Sequence, residues 1–153
     1  ENLYGPNGMM DCFRGSVEAI LAEDNLSNPI FFPPAILHRP TNGDEVLINQ
    51  AAACMIYVGD ILGYSPSSAK EKAIANGIIL NAMDYIARGR SSFHPLNDSM
   101  SYHDQKTEGD EASLKWTKEK MPLWLAHFEK VVKKHGPHSP VSGGASVTYA
   151  DFA

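Results

Sequence analysis

The sequence predicts a mixed α+β chain that is mostly α-helical, a small mixed half followed by an all-helical half. Three observations carry this. Two apolar runs, Ala35-Ile36-Leu37 and Val46-Leu47-Ile48, follow a proline pair and bracket Asn42-Gly43, a dipeptide suited to the positive φ angles of a hairpin turn. Two long segments, 67–88 and one from Asp104 or Thr107 to His135, repeat apolar residues at helical spacing. The last residues, 147–152, carry a helix-start signature.

Composition narrows the function classes. A chain of 153 residues is long enough for one core or for two small halves packed together. The net charge of −5 argues against a nucleic acid or an anionic membrane as partner. No apolar run approaches transmembrane length, and no signal-peptide pattern opens the chain. Two cysteines, Cys12 and Cys54, are too few for a disulfide framework and fit a reducing, cytoplasmic setting. The histidines are scattered without metal-ligand spacing, and His135 and His138 flank a loop-like Gly-Pro, so no metal is expected.

In chain order, residues 1–8, ENLYGPNG, read as the remnant of an engineered protease site, which sets Tyr4 aside. Residues 9–13 read as a short strand, and Ser16 as the N-cap of a helix with Val17, Ile20 and Leu21 on one face. The stretch between Asn25 and Pro33 is too short for a second parallel strand and its crossover helix. After the hairpin, Asn49-Gln50 leads into an alanine-rich helix beginning at Ala51, where Cys54 reads as a core filler. A domain boundary is expected at 64, giving halves 9–64 and 65–153.

In the second half, Ser67 or Ser68 caps a helix whose apolar stripe is Ala73, Ile74, Gly77, Ile78, Leu80, Ala82, Tyr85 and Ile86, with Gly89 as its end. A loop over 91–102 contains Phe93-His94-Pro95. The next helix offers Leu114, Met121, Trp124, Leu125, Phe128 and Val132 to the core, with a kink expected at Pro122 and a stop at Gly136-Pro137. Thr148 and Asp151 form a capping box, and Val147 and Phe152 are placed to clasp as a hydrophobic staple. The helix this box opens has no body before Ala153, so further residues are expected beyond it.

Several strings together resemble the cytosolic glutathione S-transferase family. They are FRGSVEAIL, the segment PPAILHRPTNGDEVLINQAAACMIY, FHPLNDSMSYHDQK with MPLWLAHFEKVV, and SGGASVTYADF. The resemblance implies a thioredoxin-like, glutathione-binding N-terminal half, here lacking its second strand and helix, packed on an all-helical C-terminal domain. It implies conjugation of the glutathione thiolate to small hydrophobic electrophiles, glutathione as co-substrate without a metal, and a cytoplasmic homodimer. The alternatives are a non-catalytic binding or assembly module of the same family, and a thiol-disulfide enzyme using Cys12.

The same resemblance assigns roles residue by residue. Pro34 matches the family's cis-proline before the third strand. Gln50 matches the first residue of the pair that opens the next helix, whose free N–H groups suit the γ-glutamyl carboxylate of glutathione. Ala51 stands where the family carries a hydroxyl, and Pro33 lacks the N–H that usually holds the cysteinyl part. Met10 occupies the position of the tyrosine in the tyrosine-type members. Cys12 is either a nucleophile near a helix N-terminus or an ordinary small side chain. Arg14 holds a glutathione carboxylate or a structural salt bridge. Asp84 reaches the tripeptide's amino group across a dimer or is a solvated helix charge. Tyr85, Phe93, His94 and Trp124 line the electrophile pocket or are plain core.

Overall fold

The computed structural model describes residues 34–135 and 140–153. The expected strand at 9–13, the helix from Ser16, the Gly136-Pro137 stop, and the site residues Cys12, Arg14 and Pro33 lie outside the described residues. The chain divides into two compact units, Glu1–Val58 and Gly59–Ala153.

In the first unit, strands β1 (Ala35–His38) and β2 (Val46–Asn49) pair antiparallel, with Ala35 opposite Asn49 and His38 opposite Val46. The expected tight turn is a longer connection, 39–45. Pro40 has no N–H to extend the ladder, so pairing stops at His38. Gly43 takes a φ of +129° within that connection, and Arg39 Nε donates to Glu45 Oε2 at 2.6 Å across its base. Helix α1 (Ala51–Ile61) follows β2 directly. Among the described residues of this unit, Leu47 and Cys54 are the buried apolar side chains. His38 Nδ1 lies 2.8 Å from the Tyr57 hydroxyl, with the two rings edge to face, which ties β1 to α1.

In the second unit, α2 (Ala69–Phe93) opens on Ser68 as its sequence predicts. Ser68 Oγ accepts from the Glu71 N–H at 3.2 Å, and Glu71 Oε2 accepts from the Ser68 N–H at 3.1 Å. The helix does not end at Gly89 but continues to Phe93. A Cβ at Gly89 would lie 3.6 Å from Nε1 of Trp116, an ordinary van der Waals distance. Ser91 and Ser92 then carry the last turn, their hydroxyls donating to the carbonyls of Ala87 and Gly89 at 3.0 and 2.6 Å.

The buried stripe of α2 is rotated from the expected one. It centres on Ala75 and Ile79, both 0% exposed, whereas Ile74, Leu80 and Ile86 face outward and Ile78, Ala82 and Tyr85 are half-buried. Apolar residues occupy more than one face of this helix, and periodicity alone cannot choose which face is covered.

The expected single helix after the loop is four pieces in series. A 3-10 turn (Tyr102–Gln105) opens it, with Ser101 Oγ accepting from the Asp104 N–H at 3.3 Å. Helix α3 (Lys106–Lys115), a π-helical turn (Trp116–Lys120) and helix α4 (Met121–His135) follow. The Met121 N–H reaches back to the Trp116 carbonyl. That wider bond lies just ahead of Pro122, whose ring and missing N–H would interrupt an ordinary ladder.

On α4, Met121, Trp124 and Phe128 are half-buried, while the expected core residues Leu125 and Val132, and Leu114 on α3, are exposed. Helices α2 and α4 meet through large side chains. Tyr85 packs on Trp124 and Phe128, with ring centres 6.2 and 6.0 Å away, and residues one step round the helix fall outside that contact.

The chain's last described element is a 3-10 turn, Tyr149–Phe152. Asp151 Oδ2 accepts from the Thr148 N–H and hydroxyl at 2.8 and 3.0 Å, and its Oδ1 accepts from the Val141 N–H at 2.8 Å. Val147 and Phe152 both stay exposed, and Phe152 packs edge-on against Tyr64. No helix among the described residues is long and apolar enough to cross a membrane.

Candidate functional site

The first-half site is the junction between β2 and α1. Gln50 has a φ of +74°, a left-handed conformation that a non-glycine residue adopts at a cost of about 1 kcal/mol. Two backbone bonds hold it there. Its N–H donates to the Pro34 carbonyl at 3.0 Å, and its own carbonyl accepts from the Cys54 N–H at 2.9 Å. The first N–H groups of α1, beginning at Ala51, lack intrahelical acceptors by construction of any helix start. The Gln50 side chain is exposed and makes no hydrogen bond among the described residues. Pro34, Gln50 and Ala51 therefore meet in one place.

Cys54 sits beneath that junction, 6% exposed, its Sγ near the carbonyls of Pro34 and Ile48 at 3.8 and 3.7 Å. Burial pushes its thiol pKa above the ordinary value, against a smaller lowering by backbone hydrogen bonds. A raised thiol pKa is the opposite of what a nucleophilic cysteine needs. Its stability contribution is present below the ordinary thiol pKa and is lost as pH rises through the raised value. In a Cys12→Ser variant at neutral pH, Cys54 is expected to react with a disulfide reagent at least about a hundredfold more slowly than free cysteine, with full reactivity on denaturation. Rapid reaction in the folded protein would contradict the burial described.

In the helical unit, Tyr85 is the hub of an aromatic cluster. Trp116, Phe128 and Trp124 surround it at ring-centre distances of 5.8, 6.0 and 6.2 Å. An apolar groove of about 370 Å³ opens on one side, between Ile78, Ala82 and Tyr85 of α2 and Phe128 and Val131 of α4. A second cavity, of about 600 Å³, is lined by Arg88, Ser91, Trp116, Lys120 and Trp124. Tyr85 and Trp124, two of the four pocket residues expected from the sequence, are thus brought together.

The other two stand elsewhere. Phe93 pairs with Tyr102 at 6.3 Å. His94 Nδ1 lies 3.0 Å from the Met100 carbonyl and 3.2 Å from Gln105 Nε2, inside the network that shapes the 94–101 loop. Asp84 is on the exposed side of α2.

Sequence reasoning missed Trp116, Arg88 and Lys120, because each reads alone as a surface helix residue. Their spacing was the available signal. Positions 88 and 91 are three apart, and 116, 120 and 124 are four apart, so each set lines one helical face. It also missed Gln105, 1% exposed, which stands just before a charged helix and carries no motif.

Comparison with known proteins places these helices. Residues 91–153 match the family model described as "Glutathione S-transferase, C-terminal domain". The matched span begins in the last turn of α2 and takes in the 94–101 loop, α3, the π-helical turn, α4 and the closing 3-10 turn. No curated protein matches the chain. Residues 91–153 of the chain are thus similar to the C-terminal domain of glutathione S-transferases.

Proposed function

We propose that the chain binds glutathione at the β2–α1 junction and conjugates it to small hydrophobic electrophiles. The observation that carries this reading is the backbone of Gln50. Strain of this kind is retained where surrounding structure over-determines it, and such positions cluster at ligand clamps. Here it presents an unbonded amide side chain beside the free N–H groups of a helix start. Those groups suit a carboxylate such as that of the γ-glutamyl end. The reading includes a thioredoxin-like N-terminal half, with Arg14, Pro33, Pro34 and Ala51 around the tripeptide and Asp84 reaching its amino group across a dimer. It also includes a cytoplasmic homodimer with no metal.

In the reaction, the glutathione thiol gives its proton to solvent and the thiolate attacks an electrophilic carbon. A carbon–sulfur bond forms as the leaving group departs with its electron pair, or as an activated double bond takes up a proton. Within the helical unit, the apolar groove beside Tyr85 is of the kind that takes small apolar molecules.

Ala51 favours a second reading, a binding or assembly module without catalysis, since it offers no hydroxyl where a ligand carboxylate would need one. Calorimetry with glutathione separates the two readings from a chain that binds none. Gln50→Gly is the informative variant. Glycine tolerates φ +74°, so stability is expected to hold or rise by up to about 1 kcal/mol. Glutathione affinity is expected to fall roughly fivefold, the worth of one hydrogen bond of about 1 kcal/mol. Unchanged affinity would remove Gln50 from the site. With binding intact, turnover of a chloronitrobenzene substrate decides between catalysis and a module.

A further inference from the structure

We propose that Asn42, in the connection between β1 and β2, is a site of spontaneous self-modification, losing its side-chain amide to become an aspartyl or isoaspartyl residue. This site lies outside the conjugation reading and does not depend on it.

The chemistry belongs to the Asn42-Gly43 pair. The Gly43 backbone nitrogen gives its proton to hydroxide and attacks the Asn42 Cγ. A carbon–nitrogen bond closes a five-membered imide, and the Asn42 Nδ2 takes up a proton and leaves as ammonia. Water then opens the imide at either carbonyl. Attack at Cγ releases the Gly43 nitrogen from the side chain and leaves an ordinary aspartate. Attack at the α-carbonyl carbon breaks the original peptide bond and leaves the chain running through Cγ, as isoaspartate. Glycine favours the first step because no Cβ crowds its nitrogen.

The chain carries its own control. Asn-Gly occurs three times, at 7–8, 42–43 and 76–77, and the first lies outside the described residues. The other two share one covalent chemistry and differ in what holds them. Asn42 and Gly43 are both exposed. Neither forms a hydrogen bond among the described residues, so the Asn42 amide carbon is open to attack and the Gly43 N–H is uncommitted. The β-ladder ends at the His38–Val46 pair, and Arg39 and Glu45 tie the connection at its base. Gly43, at φ +129°, takes a conformation that side-chain-bearing residues rarely adopt.

Asn76 is held at both reacting ends. Its Oδ1 accepts from the Tyr149 hydroxyl at 2.8 Å, and Tyr149 is itself buried. Gly77 lies inside α2, where its N–H belongs to the helical ladder. The imide cannot close at Asn76 until that part of α2 opens.

The products alter the connection. Either one adds a carboxylate next to Asp44 and Glu45 in a chain whose net charge is already −5. Isoaspartate also inserts a methylene into the backbone between two strands in fixed register.

The test incubates the full chain at mildly alkaline pH and follows each asparagine by peptide mass mapping in acid, which stops the attack. In the folded protein Asn42 is expected to convert at least about tenfold faster than Asn76, which must wait for helix opening. The Asn42 rate should rise in proportion to hydroxide, and isoaspartate should appear beside aspartate. In unfolding urea Asn76 should accelerate until the two rates differ by no more than about threefold. Asn42→Gln, whose longer stem closes a less favoured six-membered ring, should lose the conversion at that position and leave the Asn76 rate unchanged. The proposal is overturned if Asn42 converts no faster than Asn76 in the folded protein, if its product lacks isoaspartate, or if Asn42→Gln converts equally fast. None of these outcomes bears on glutathione binding at Gln50, which calorimetry reads separately.

Discussion

Gly59→Ala is expected to destabilise the helical unit by about 3 kcal/mol, although helix propensity alone predicts a gain of roughly 1 kcal/mol from replacing a glycine inside a helix. Gly59 is buried in the last turns of α1. A Cβ there would stand 2.6 Å from both Cβ and Cδ1 of Tyr149, and 3.0 Å from its Cγ. Tyr149 has no easy way to yield. It is 3% exposed, its N–H donates to the Tyr64 carbonyl at 2.9 Å, and its hydroxyl donates to Asn76 Oδ1 at 2.8 Å. Burial, helped by the nearby Asp60 charge, also raises the Tyr149 pKa, so its phenol stays protonated as the Asn76 bond requires. Gly77→Ala is the matched control, since the space around a Cβ at Gly77 is open. It should stabilise by about 1 kcal/mol. Urea denaturation of both variants gives the comparison, and equal stabilisation by the two substitutions would show that Tyr149 does not pack on α1 as described.

Much of the fold was legible because its signals are local. The hairpin is announced by two apolar runs around Asn42-Gly43, the start of α2 by Ser68 and Glu71, and the last turn by Thr148 and Asp151. The two caps join partners three residues apart, and the hairpin joins strands that are neighbours in sequence. What escaped the sequence depends on distant partners. Gly89 reads as a helix stop until Trp116 is seen resting on it. Pro122 reads as a break in the ladder, but the π-helical turn that lies just ahead of it has no local signature. The face of α2 that is covered is set by Tyr149 and the aromatic side chains of α4, and the helix itself carries apolar residues on too many faces to reveal it. The site followed the same division. Gln50 was singled out by the resemblance, at a helix start that is itself a local signal, whereas the cations beside the two indoles belong to helices far apart in sequence.

Gln105→Leu is expected to cost about 3 kcal/mol, and its mechanism can be separated from simple loss of packing. Gln105 is the largest fully buried polar side chain among the described residues. Its Oε1 accepts from the N–H groups of Leu96 and Asn97 at 3.0 and 3.4 Å, and its Nε2 donates to the carbonyls of Asn97 and Met100 at 3.0 and 3.2 Å. One amide thus closes the 94–101 loop with both donors and acceptors, and leucine would leave those backbone groups without partners. Gln105→Glu keeps the shape and discriminates. One carboxylate oxygen would still accept from Leu96 and Asn97, but the other would face two carbonyl oxygens with no hydrogen to offer. Desolvation and those carbonyls would raise the glutamate pKa above its ordinary value of about 4.3. A raised folded-state pKa gives stability that is intact below the unfolded value and lost as pH rises through the folded one. Gln105→Glu should therefore approach the parent's stability in acid and fall below it by neutral pH, while Gln105→Leu stays low throughout. Limited proteolysis should cut both variants within 94–101 at neutral pH and spare the parent. A glutamate variant with the parent's stability at neutral pH would mean that the loop is not held by the Gln105 amide.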